Sequence, residues 1–87
     1  MEFEYRIIGD ALNKAEIAFE PEDIVDVDMD IDRVYFHLEG EEKEYIIRMW
    51  DAFNEGNATV VRYSLYKDSD RGGADELMES TFVDIKE

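Results

Sequence analysis

The chain has 87 residues and is 45 % apolar, which suits one small core and excludes a chain that is disordered throughout. Twenty-four acids against nine bases leave a formal net charge of −15, which excludes a basic face for direct nucleic-acid binding and disfavours an anionic membrane surface. The absence of cysteine excludes disulfides, thiolate catalysis and cysteine metal sites.

In chain order, Phe3, Tyr5 and Ile7 alternate with Glu2, Glu4 and Arg6, and that period of two predicts a strand ended by Gly9-Asp10. Residues 11–20 fit a helix capped by Asp10, or a strand through Ala15, Ile17 and Phe19, and Pro21 ends either. From Ile24 to Ile31 the alternation returns. Val25, Val27, Met29 and Ile31 take one side, with Asp26, Asp28, Asp30 and then Asp32 on the other. Val34, Phe36 and Leu38 predict a further strand, ended by Gly40. Residues 41–56 support two readings. As a strand, Tyr45, Ile47 and Met49 share a face; as a helix, Ile46, Met49, Trp50 and Phe53 make an unbroken stripe with Gly56 just past the stop, and the stripe favours the helix. Thr59–Tyr66 reads as a strand, 69–75 as a mobile loop, Ala74–Ser80 as one or two helical turns, and Thr81–Ile85 as a last short strand. The expected fold is α+β: one small domain, residues 1–87, with a mostly antiparallel sheet of about four to six strands and one or two short helices. The nearly neutral block Tyr45–Lys67 is expected at the centre of its core, with the stripe of Met49, Trp50 and Phe53 inside it.

The acids are unevenly placed. Residues 20–44 hold eleven acids and two bases, whereas residues 45–67 hold two acids and three bases. On a strand, Asp26, Asp28, Asp30 and Asp32 would set four carboxylates on one face at a pitch of about 6.6 Å. Glu20, Glu22, Asp23, Glu39, Glu41, Glu42 and Glu44 would widen that row into a patch. An ordinary solvated face explains such a row too, but −15 exceeds the roughly 2–8 charges that keep a small domain soluble. These eleven residues are therefore the expected partner-binding set, and the partner is expected to be a basic protein, a nucleic-acid-binding enzyme being the natural owner of an extended basic groove.

No cofactor or metal is expected. Asp28, Asp30, Asp32 and Glu39 match positions 1, 3, 5 and 12 of an EF-hand loop, but Arg33 stands where the loop requires glycine. His37, the single histidine, sits on the polar side of its strand without a catalytic set around it, so no enzymatic activity is expected. No apolar run nears the roughly 20 residues of a membrane span, and MEFEYR lacks the basic start of a secretory leader, so the expected location is the cytoplasm.

Small size, no cysteine and clustered carboxylates on an α+β scaffold resemble the phage-encoded acidic nucleic-acid mimics, among them anti-restriction proteins, uracil-glycosylase inhibitors and small anti-CRISPR proteins. The stretch Ile46–Gly56 is similar in pattern to a helix of one acidic anti-CRISPR protein. The resemblance implies an inhibitor of a host defence nuclease, acting in the host cytoplasm without chemistry of its own. A protein–protein adaptor, an immunity protein and an ordinary domain of a halophile are the competing readings of the same charge.

Overall fold

The computed structural model describes residues 2–85. Helix α1 spans Phe3–Lys14, a 3-10 turn covers Pro21–Asp23, and five strands follow: β1 Ile24–Met29, β2 Arg33–Leu38, β3 Tyr45–Glu55, β4 Ala58–Asp68 and β5 Ala74–Ile85. The strands form one antiparallel sheet in the order β1-β2-β3-β4-β5, so each pairs with its neighbour in sequence and β1 and β5 are the free edges. The α+β domain expected from the sequence is present, with five strands, one helix and one short turn.

The first element is a helix, not the expected strand. The alternation of Phe3, Tyr5 and Ile7 is a short coincidence inside a longer period. Ile7, Ile8, Ala11 and Leu12 are fully buried, with Phe3 and Ala15 packed against them, and that spacing is one face of a 3.6-residue helix. Glu4 in the first turn and Lys14 in the last complement the helix dipole. The helix ends in a Schellman motif: Glu16 N–H donates to Asn13 O (3.1 Å) and Ile17 N–H to Leu12 O (2.9 Å). Glu16 takes φ 60° there, a position glycine fills without steric cost.

Residues 41–56 are the second correction. They form the connection to β3 and β3 itself, which pairs with β2 on one side and with β4 along its whole length on the other. Pairing with β4 from Tyr45 to Glu55, and with β2 over Tyr45–Arg48, overrides the helical stripe. Gly56 is not a helix stop but a hairpin residue with φ 62°, at the position a type II′ turn reserves for glycine. Residues 74–80, read as helical turns, belong to the twelve-residue β5, whose pairing with β4 extends to Ala74 opposite Asp68. The preceding loop closes on itself through Ser69 N–H to Gly73 O (3.1 Å) and Ser69 Oγ–H to Gly72 O (3.0 Å).

The core lies between α1 and one face of the sheet. Val34, Phe36 and Leu38 from β2, Tyr45 and Ile47 from β3, and Val61, Tyr63 and Leu65 from β4 bury against the helix. The block Tyr45–Lys67 therefore supplies part of the core and not all of its centre. Trp50 and Phe53, expected inside it, are 48 % and 43 % exposed, and only Met49 of that stripe packs on the core. Polar bonds fasten the helix to the sheet. Tyr63 Oη–H donates to Asp10 Oδ2 (2.7 Å), Lys14 Nζ reaches Asp10 (3.0 Å) and Thr81 O (2.6 Å), and Arg6 forks onto both Asp84 oxygens (3.0 Å each). Burial, then the bond to Asp10, pushes the Tyr63 hydroxyl well above the usual phenol range.

Replacing Glu16 by glycine relieves the left-handed backbone strain and should raise unfolding free energy by about 1 kcal/mol. Urea denaturation followed by circular dichroism measures this; an unchanged or lower midpoint would show that Glu16 is unstrained.

Candidate functional site

Eight of the eleven acids of the expected binding set lie at or beside the β1 edge of the sheet, and the other three lie in the β2–β3 connection. Glu20, Glu22 and Asp23 form the 3-10 turn that leads into the edge strand β1, with Asp23 N–H donating to Glu20 O and Glu20 N–H donating to the Asp23 carboxylate (2.9 Å each). Asp26 and Asp28 lie on β1, and Asp30 and Asp32 in the turn that follows it. Residues 20–32 hold seven acids and no base. Glu39, at the end of β2, is tied back to the same border by its N–H to Asp23 O (2.8 Å). Glu41, Glu42 and Glu44 continue around the end of the sheet in the β2–β3 connection. All eleven are exposed or half-buried.

The row itself is not the straight line of four that the sequence suggests. The pairing of β1 with β2 slips between Val25, opposite His37, and Asp28, opposite Tyr35. Asp26 and Val27 together oppose Phe36, a β-bulge in which Asp26 adopts φ 55°. The bulge turns Val27 to the core face and leaves Val25 on the open face beside His37, so the two valines do not share a side as expected. β1 then stops at Met29, where Asp30 N–H donates to Arg33 O (2.8 Å) and Ile31 N–H to the Asp30 carboxylate (2.8 Å). Ile31 is consequently 95 % exposed at the tip of the turn instead of facing the core. Two carboxylates project from the edge strand and two from its turn.

Glu41 differs from the rest. Its Oε1 accepts from Lys67 Nζ and from the Tyr45 hydroxyl, both at 3.0 Å, and Lys67 also lies 4.9 Å from the centre of the Tyr45 ring. Partial burial is the strongest single influence on the Glu41 carboxyl and raises it, but the two hydrogen bonds outweigh it and the net shift is downward. Burial raises the Tyr45 hydroxyl, and bonds to Tyr45 and Glu41 raise the Lys67 ammonium. Glu41 thus serves the fold at the end of the sheet as well as the surface. Lys43 is similarly taken up by Asp70 (2.6 Å), which lowers the Asp70 carboxyl.

The other face of the sheet carries no helix and presents arginines on its inner strands, Arg62 with Asp51 directly opposite it. Arg33 and Arg48 stand directly opposite each other on β2 and β3, and Arg62 on β4 lies with its guanidinium 5.8 Å from the Trp50 ring centre. Arg33 and Arg48 make no ion pair with any described acid. Acids flank them at both edges, Asp28 on β1 and Glu76 and Glu79 on β5. Acids on an edge strand also resist pairing with another chain, so the border has a structural use whatever it binds.

His37 lies on this open face. Its Nδ1 is buried without a hydrogen bond and stands 3.7 Å from Asp26 Oδ2, too far for one. Among the described residues no group of three or more His, Asp or Glu side chains is placed to hold a metal ion, and no helix is long and apolar enough to cross a membrane. The EF-hand spacing falls across the β1–β2 turn and the strand Arg33–Leu38, where a calcium loop would have to run.

Sequence reasoning missed the apolar residues beside the acids. Ile31 is exposed and Met29 and Trp50 are about half-exposed, and with Phe3 and Met49 they gather around a groove beside the Phe3 end of α1, Trp50 at its margin. The signal available was the run of Asp30 and Asp32 around Ile31, since aspartates favour turns over strands.

No family model, curated protein or solved structure matches this chain. The segment Ile46–Gly56, similar in pattern to a helix of an anti-CRISPR protein, forms most of strand β3 and its turn here.

Two outcomes are expected. Stability that depends on the lowered Glu41 carboxyl is present above its ordinary value of 4.5 and is lost as pH falls through the lower folded value. Glu41→Gln should therefore flatten the acid limb of a stability–pH curve below about pH 4.5 and cost under about 1 kcal/mol at neutral pH, as exposed pairs do. Arg48→Thr removes a like-charge cross-strand pair and should stabilise the fold by about 0.2–1 kcal/mol in urea titrations; destabilisation would assign Arg48 a favourable contact.

Proposed function

We propose that this chain is a binding protein without enzymatic activity, and that its acidic border occupies a basic, nucleic-acid-binding groove of a target protein in the cytoplasm. The observation that supports this reading is the run of seven acids without a base in residues 20–32, set along a free edge of the sheet with Glu39 held beside it. An edge strand rises about 3.3 Å per residue, so β1 extends this line over about 20 Å, a length comparable to several phosphates of a nucleic-acid backbone. Lysines and arginines placed to hold phosphates would meet carboxylates instead. Binding then excludes nucleic acid from the target, which is how a phage-encoded inhibitor of a host defence nuclease acts by mimicry. The uneven placing of the acids, eleven in residues 20–44 against two in residues 45–67, favours a directed surface over the even acidic coat of a halophile's domain.

The test is capture of the target from nuclease-treated lysate, followed by challenge with DNA or RNA. Nucleic acid should release the target, and Asp28→Lys with Asp30→Lys should abolish capture while the circular-dichroism spectrum stays unchanged. Raising salt from about 0.05 to 0.5 M should slow association more than it speeds dissociation. A captured target that nucleic acid does not displace, or that the double variant still binds equally well, would overturn the mimicry.

A further inference from the structure

We infer that the groove beside the Phe3 end of α1 docks a Lys/Arg-rich segment of a partner protein through bulky apolar side chains that the segment also carries. The groove has a volume of about 430 Å³, within the range of sites that enclose large side chains or small ligands. It exists because α1 is too short. Twelve helical residues span about 18 Å, whereas the eleven-residue strands β3 and β4 extend about 36 Å, so the helix covers only part of the sheet face. Phe3, Met29, Ile31, Met49 and Trp50 line the uncovered part over a floor that includes Val61.

Single exposed apolar residues are ordinary on a protein surface, but Ile31 at 95 % exposure, Trp50 at 48 % and Met29 at 44 % surround one depression. Its rim fixes the chemistry of the occupant. Asp32 and Asp51 line it and Asp30 adjoins it, against one base at its margin, Arg62, which stands opposite Asp51 with its guanidinium 5.8 Å from the Trp50 ring centre. A cationic segment gains from that rim and an anionic one is repelled. Flexible methionines beside an aromatic ring adapt to varied apolar anchors, as in other acidic-rimmed grooves that take basic amphipathic segments. The inference rests on the acidic border as a docking surface and adds that the partner's basic residues are interleaved with apolar ones.

Trp50 is the only tryptophan, so its emission reports occupancy of the groove. The probes are two peptides of about 14 residues with equal charge, one of Lys and Leu at helical spacing and one of Lys and Ser. The Lys/Leu peptide should bind at least about tenfold tighter and shift Trp50 emission to the blue, and Ile31→Ser should remove about tenfold of its affinity, the effect of losing one buried aliphatic side chain. Ile31 touches nothing that holds the fold, so that variant keeps its structure. Equal affinity of the two peptides, an unmoved Trp50 emission or an indifferent Ile31→Ser overturns the groove and leaves the acidic border standing. If neither peptide binds, the groove reading falls, while the acidic border is judged separately by capture of the target and its displacement by nucleic acid.

Discussion

One helix has to bury the apolar side of a five-stranded sheet, and the rest of the molecule follows from how far it reaches. Ile7, Ile8, Ala11 and Leu12 cover Val34, Phe36, Ile47, Tyr63 and Leu65, and these residues form the single core. The apolar contact is secured by polar bonds at the helix margins, Arg6 to Asp84, Asp10 to Tyr63 and Lys14 to Thr81 O. Burying the Tyr63 hydroxyl is tolerable because a carboxylate receives its proton. Beyond the reach of the helix the sheet stays open: on the core side as the groove near Met49 and Trp50, and on the opposite side as a whole face.

A sheet with one free face and two free edges has to manage its exposed backbone and apolar atoms. Here charge does that work. Acids stand on both edge strands, where unpaired backbone groups would otherwise recruit another chain. Arginines occupy the middle of the open face, with Arg33 facing Arg48 at a cost in repulsion and without an ion pair to a described acid. The β-bulges have a related effect. The one at Asp26 and Val27 sends the carboxylate outward and the valine inward, and the one at Trp50 places the largest side chain of the chain half in water. The acidic border and the apolar groove are therefore neighbours, both consequences of β1 ending at Met29 and turning sharply through Asp30 and Ile31.

Much of this was legible in the residues. The Val/Tyr-rich run 59–66 and the alternation Val34-Phe36-Leu38 are strands as expected, because both bury one face and match the period of two. The clustering of acids in 20–44 is a property of the chain and survives any fold. The elements misread share one feature: two periods coexist in a short window. Phe3-Tyr5-Ile7 alternates within a helix whose true period shows only when Ile8, Ala11 and Leu12 are included. Ile46-Met49-Trp50-Phe53 has helical spacing within a strand, because the bulge at Trp50 breaks the alternation that would have marked it.

The sequence by itself determined the class of fold, the absence of disulfide chemistry, the excess of negative charge and its concentration between Glu20 and Glu44, since each depends on composition or on order along the chain. Tertiary structure decided which carboxylates share a surface, that Glu41 is held by Lys67 and Tyr45, that Ile31 and Trp50 face water and that a groove opens beside Phe3. Those outcomes depend on strand register, on bulges and on the length of one helix relative to the strands it covers. All three are set by pairing between residues far apart in the chain, which no local period encodes.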